Sequence, residues 1–227
     1  MPSSRFAVIG LGQFGNAIAR TLSQRGAEVL AIDSDEEHIE SIKDDVAYAV
    51  CMDATDMKAL RMQNVQDLDA VVVAIGDDFE ALMLCVVQLM ELKVKRIMAR
   101  ANGKSQFMIL EKIGVQEILS PENDVGLAVA ERLLNPTIIT SLSLPDDYQI
   151  VEVKTPRTMV NRSLGDISLR SKYNLNLITI KRETAHTDGK ETHILGVPGP
   201  ETVLEETDTI IVFGLSRDIE RFIQINV

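Results

Sequence analysis

The amino-acid sequence predicts an α/β protein: a doubly wound parallel sheet followed by a smaller α+β domain. Three observations carry this expectation. Apolar strand-like runs alternate with amphipathic helical stretches from the N-terminus to about residue 119. The first run, Phe6 to Ile9, passes through Gly10-Leu11-Gly12-Gln13-Phe14-Gly15 directly into a helix. Beyond Asn135-Pro136 the alternation ends, and short strands between Pro- and Gly-rich turns replace it. The boundary is therefore expected at Pro136. Residues 1–136 form a Rossmann-type domain, and residues 137–227 the small α+β domain.

The glycine spacing has a physical reason. Gly10 allows the tight turn, Gly12 lets a pyrophosphate approach the backbone, and Gly15 lets the helix pack closely on its strand. Phosphates then meet free N–H groups at the positive end of the helix. A second strand, Val29 to Ile32, ends in Asp33, placed to accept both ribose hydroxyls. A lone Gly-x-Gly-x-x-Gly is weak evidence, but here the strand, helix and acid all stand in the required order. The unit is read as nucleotide-binding.

The remaining elements follow in order. Asp35 to Lys43 is expected as a helix, Val46 to Val50 as a strand, and Met57 to Met62 as a short helix after Asp53-Ala54-Thr55. Ala70 to Ile75 is almost wholly apolar, as a central strand of a parallel sheet should be. The next helix, Ala81 to Leu92, is apolar nearly all round. It is too short to cross a bilayer, which takes about 20 residues. It therefore reads either as a helix buried within its own domain or as one whose outer face packs on another subunit. Lys95 to Arg100 is a fifth strand, Gln106 to Ile113 a helix stopped by Gly114, and Glu117 to Leu119 a sixth strand. Ser120-Pro121-Glu122 opens a further helix through Leu134, with an N-cap, a first-position proline and first-turn acids. In the second domain the expected strands are Gln149–Val153, Asn176–Ile180 and Thr209–Phe213, with turns at Asp188-Gly189 and Pro198-Gly199-Pro200. A helix from about Ser216 to Ile225 closes the chain.

A ligand in such a sheet sits where strand order reverses, outside the carboxyl ends of the first and fourth strands. Ala74-Ile75-Gly76 at the end of the fourth strand offers a flat wall for an adenosine. Asp53, with Ala54 beside it, is read as either an adenine contact or a turn former. Arg100, at the end of the fifth strand, is read as a phosphate partner or a solvated surface charge. The net charge of −11 argues against a nucleic-acid surface, which needs clustered Lys and Arg. Cys51 and Cys85 stand apart, as in a reduced intracellular protein, and Met1 to Arg5 leaves no room for a signal peptide. His38, His186 and His193 fall in no metal-ligand spacing and pair with no nucleophile. No catalytic constellation appears, so the chain is not expected to be an enzyme. The alternative reading is a small NAD-dependent oxidoreductase, for which a substrate domain with a proton donor is missing.

Gly10 to Gly15 followed by Asp33, Asp53-Ala54-Thr55, Val73 to Gly76, Leu110 to Gly114 and Ser120-Pro121-Glu122 resembles the regulator-of-potassium-conductance (RCK) family. The likeness is to its cytoplasmic KtrA/TrkA-type subunits of bacterial potassium uptake systems. Asp166 to Tyr173 and Asp208 to Gly214 are similar to that family's small C-terminal module. The resemblance implies a regulator that binds ATP, ADP or NAD(H), forms a ring, commonly of eight copies, and gates a membrane-embedded potassium translocator. It implies a cytoplasmic location, peripheral to the cell membrane through that partner. Gly10, Leu11, Gly12, Gln13, Phe14 and Gly15 would form the phosphate loop, Asp33 the ribose acid, and Ala74, Ile75 and Gly76 the adenosine wall. Residues 81–92 would be an assembly surface, and the helix after Pro121 a crossover exchanged between two protomers. Glu122 would help hold a divalent cation, unless it only stabilises a helix N-terminus. Arg170, Ile178 and Pro198 are the positions that would contact cyclic-di-AMP. One departure stands out: relatives commonly carry Arg at the position of Gln13, whose neutral amide supplies no charge for a terminal phosphate.

Overall fold

The computed structural model describes residues 4–186 and 189–226. The chain divides into two compact units, residues 1–124 and 125–227. The division falls inside the helix that begins at Pro121, earlier than the boundary expected at Pro136. That helix contributes no buried residue, so packing does not tie its length to one unit.

In the first unit, β1 (Arg5–Ile9), α1 (Gln13–Gln24), β2 (Glu28–Asp33), α2 (Glu36–Ile42) and β3 (Tyr48–Cys51) form the first half of the sheet. The second half is α3 (Met57–Met62), β4 (Ala70–Val73), α4 (Phe79–Glu91), β5 (Ile97–Arg100), α5 (Lys104–Ile113) and β6 (Glu117–Leu119), followed by α6 (Pro121–Leu134). The six strands are parallel in the order β3-β2-β1-β4-β5-β6, so the order reverses between β1 and β4. Strand residues of both parities are buried. Ala7, Ile9, Ile32 and Val73 face a core shared with Leu60 of α3, Leu82 and Leu89 of α4 and Leu110 of α5. Val8, Ala31 and Val72 face the other side, against Ala19 of α1 and Ile42 of α2. Burial on both faces is why these strands read as continuous apolar runs rather than as an alternation.

Helix α4 is buried in its own domain along one side and exposed along the other. Leu82, Cys85, Val86 and Leu89 are buried in the core, and burial pushes the Cys85 thiol up to about 12. Leu84 and Val87 on the other side are 46% and 40% exposed. Helix α5 exposes Phe107, Met108 and Ile109.

The second unit is an antiparallel five-stranded sheet in the order β10-β9-β11-β8-β7. Its strands are β7 (Ile138–Ser143), β8 (Tyr148–Lys154), β9 (Asn176–His186), β10 (Gly189–Ile194) and β11 (Thr209–Leu215). Short helices α7 (Leu164–Ile167) and α8 (Leu169–Tyr173) precede β9, and α9 (Ser216–Asn226) closes the chain. Val151, Val153, Ile180, Ile210 and Val212 form the sheet side of its core, against Ile167, Leu169, Ile219 and Phe222 of the helices. Strand β9 extends past the expected end at Ile180, β10 was not expected, and Asp188 of the anticipated turn lies outside the described residues. Strand β7 was not expected at all. No helix of the described residues is long and apolar enough to cross a membrane.

Candidate nucleotide site at the strand reversal

The crevice lies at the carboxyl ends of β1 and β4, and its floor is the glycine loop. Gly10 has φ +88°, a left-handed conformation that strains any other residue, and a Cβ there would stand 2.8 Å from the Ile75 nitrogen. Gly15 is constrained more severely, since a Cβ would lie 1.8 Å from the Gly10 carbonyl oxygen. Both glycines are thus required by the protein's own packing. Gly12 is different: a Cβ there meets nothing within 4 Å. Packing does not demand glycine at Gly12, which leaves approach of a ligand to the backbone as its physical reason.

The helix starts tell the same story. Asp35, Asp56 and Asp78 cap α2, α3 and α4 with side-chain hydrogen bonds to backbone N–H groups. Helix α1 has Gly12 as its N-cap, no side-chain cap and no acid in its first turn, as does α5 with Gly103. What sets α1 apart is its place at the strand reversal, where its orphan N–H groups and positive dipole end can receive an external anion. Gln13, the first residue of α1, is exposed and neutral.

Asp33 sits at the end of β2 with its side chain only 11% exposed. Its Oδ2 accepts from the Leu11 N–H at 2.6 Å and its Oδ1 from the Asp35 N–H at 2.9 Å. His38 Nδ1 of α2 lies 3.1 Å from Oδ2. A carboxylate offers roughly four acceptor positions, so Asp33 both shapes the glycine loop and keeps limited capacity for a ribose. His38 is a site residue that the sequence did not disclose; its only signal is a position five residues after the acid, on the helix that follows β2.

Other expected residues separate into two groups. Ala74 is buried, Ile75 packs on the core and Gly76 faces Arg100, all directly beyond β4. Asp53, by contrast, is a turn former whose Oδ1 accepts from the Thr55 N–H at 2.8 Å and the Thr55 hydroxyl at 2.7 Å. Those two bonds, the backbone one foremost, hold its carboxyl below the usual range. Ala54 is buried in the core rather than lining the crevice.

Arg100 ends β5 and lies across the crevice. Its Cζ stands 5.5 Å from the centroid of the Phe14 ring, and its Nη1 would be 2.7 Å from a Cβ placed on Gly76. It pairs with Glu122 in the first turn of α6. Glu122's own backbone N–H, and then Arg100, hold its carboxyl below the usual range. Among the described residues, no three His, Cys, Asp or Glu side chains converge as a cation site. In the single chain the Glu122 carboxylate is engaged by Arg100.

In the second unit, Arg170 and Pro198 line a groove of about 440 Å³ together with Leu164, Ser168 and Asn176. Ile178 is exposed on β9 and is not among the lining residues.

Gly15→Ala is therefore expected to destabilise the first unit by about 1–3 kcal/mol or more through overpacking. Gly12→Ala should leave the melting temperature within a degree or so and act on ligand binding alone. Thermal denaturation of the two variants checks both statements, and equal destabilisation would remove the distinction drawn here.

Comparison with known proteins agrees with this geometry. Residues 6–121 match the TrkA-N domain and residues 148–226 the TrkA-C domain. The chain is 34% identical to Ktr system potassium uptake protein A of Bacillus subtilis over 220 residues, covering 97% of this chain and 96% of that one. It is also 34% identical to Ktr system potassium uptake protein C of the same organism over 217 residues, covering 96% and 95%. In fold it is similar to the RCK domain of GsuK, at 22% identity and a TM-score of 0.50, over 99% of this chain and 46% of that chain. The uncapped glycine loop, the acid ending β2 and both domain matches lead to one assignment: the chain belongs to the family of paired TrkA-N and TrkA-C domain proteins that includes the Ktr potassium uptake proteins A and C.

Proposed function

We propose that this chain is a nucleotide-responsive regulatory subunit of a potassium uptake system. The observation that carries the reading is its likeness, over nearly its whole length, to two Ktr system potassium uptake proteins. ATP, ADP or NAD(H) binds at the strand reversal, with its phosphates on the N–H groups after Gly12 and its ribose at Asp33. Ala74 to Gly76 form the wall beside the adenosine, and Arg100 supplies the positive charge that Gln13 lacks. Asp53 and Ala54, which the protein uses for a turn and for the core, stand outside this proposal. A cation at Glu122 would have to displace Arg100 and is no part of it either. The groove at Arg170 and Pro198 is the place where a cyclic dinucleotide such as cyclic-di-AMP would bind.

The chain acts by assembly rather than by catalysis. Copies join into a ring, taken as eight, on the cytoplasmic face of a membrane-embedded potassium-translocating partner. Nucleotide binding alters the ring, and the ring alters the partner. Support for assembly comes from the exposed apolar sides of α4 and α5 and from α6, in which Leu127, Leu133 and Leu134 are all exposed. Covering that surface is favourable by about 25 cal/mol per Å² of apolar area.

Asp33→Ala should weaken ATP, ADP and NADH together by about tenfold or more, since a hydrogen bond to a charged group is worth about 1.5–3 kcal/mol. Isothermal titration calorimetry reads the combined loss of the ribose contact and of the loop contacts that Asp33 makes. A native chain that binds none of the three overturns the nucleotide reading, and an unchanged affinity in the variant removes Asp33 from the ribose.

Assembly has its own test. Leu84→Glu with Val87→Glu places two charges on the exposed side of α4 and spares the buried Leu89. Light scattering should then show smaller particles while circular dichroism stays native. An unchanged particle mass would exclude that side of α4 as a subunit contact.

A further inference from the structure

We propose that the Arg100–Glu122 ion pair is a latch between the sheet and α6, and that a nucleotide phosphate opens it by drawing Arg100 off Glu122. The proposal rests on the nucleotide reading above. Several features meet on one guanidinium. Arg100 is the last residue of β5, at the ligand end of the sheet. It lies over the Phe14 ring, in the first turn of the helix that would receive phosphates, and against Gly76 beyond β4. Only the Gly76 hydrogen permits that position, because a Cβ would collide with Nη1. Its Nη2 donates to Glu122. Its Nε is buried and has no hydrogen-bond acceptor.

That unmatched Nε points to a ligand. A guanidinium presents five N–H donors in a rigid fork, and this one lies over Phe14 in the first turn of the uncapped helix α1. A phosphate can accept from Nε and an Nη nitrogen together, with a larger charge than a carboxylate carries. Glu122 is a weak competitor. Its side chain is 51% exposed, so water screens the pair. Gln13, being neutral, offers the phosphate no rival cation inside the loop. Once Arg100 turns to the phosphate, Glu122 loses the side-chain tie that joins the first turn of α6 to β5. The carboxylate itself stays stable there, because an anion at a helix N-terminus is favourable. A nucleotide thus loosens the start of α6, whereas a nucleoside without phosphate leaves the latch closed.

Calorimetry of the full chain with ADP and with adenosine tests this in four proteins: native, Glu122→Gln, Arg100→Gln and the double variant. Glu122→Gln should bind ADP about two- to fivefold tighter, because the competing pair is gone. Arg100→Gln should bind ADP about five- to thirtyfold more weakly. Adenosine affinity should be the same in all four. The double variant should match Arg100→Gln, since Glu122 matters only while Arg100 is there to hold. Arg100→Lys, which keeps the charge and loses the fork, should fall between native and Arg100→Gln and serves if the latter is unstable. If Glu122→Gln binds ADP no tighter than the native chain, or if the two substitutions add independently, the latch is wrong while nucleotide binding stands. If the native chain binds neither ADP nor adenosine, the nucleotide reading fails and the latch with it.

Discussion

The contact on which the first unit depends is the approach of α1 to β1 at Gly15 and Gly10, where a Cβ would sit 1.8 Å from a carbonyl oxygen. No side chain fits between them, so the helix starts almost on top of the strand end. Two consequences follow from that closeness. The N–H groups of the first turn of α1 are delivered to the point where strand order reverses, in a crevice that parallel topology creates in any case. Gly10 must also adopt φ +88° to make the turn, and its N–H is carried on to the Ile32 carbonyl of β2. The loop that leaves β1 is therefore anchored to the neighbouring strand β2 as well.

Asp33 extends the same economy. Its carboxylate accepts the Leu11 and Asp35 N–H groups, so the acid that would hold a ribose also fixes the loop that would hold the phosphates. Buried N–H groups left without acceptors cost about 1–3 kcal/mol each. Loop order and ligand binding cannot then be separated by removing the acid. His38, near the same oxygen, makes the second helix part of the crevice as well. A ribose entering there meets a carboxylate already partly engaged, which favours a ligand able to bring several hydrogen bonds at once.

Much of the first unit was legible because its signals are local. The glycine spacing, the acid ending β2 and the apolar runs of β1, β2 and β4 each follow from neighbouring residues, and all lie where they were expected. The limits were equally physical. Asp53 has the composition of a ligand contact and of a turn former alike, and its Thr55 bonds show the turn role that the sequence left open. Strand β7 is rich in Thr and Ser, and the outer half of β9 with β10 is charged, since an antiparallel hairpin need not bury both faces. Such strands carry no apolar run to read. Arg100 and Glu122 are separated by a whole helix and strand, so nothing in their spacing announces that they meet. The ambiguity of α4 was real, for one side of it is core and the other is exposed.

That division within α4 bears on what kind of protein this is. The charged groups at the crevice include Asp33, which is engaged with backbone N–H groups, and Arg100, which is engaged with Glu122. Meanwhile the apolar area that the first unit does not bury lies along α4 and α5, with more on α6. A hydrophobic surface of that extent is a stable feature only when covered. Glu122 stands at the junction, because it belongs at once to the crevice through Arg100 and to the first turn of α6. A ligand that competes for Arg100 consequently acts on the start of the helix that most needs a partner. Under the latch proposed above, binding would be coupled to assembly through one exposed carboxylate, a weak coupling of the kind a reversible regulator requires.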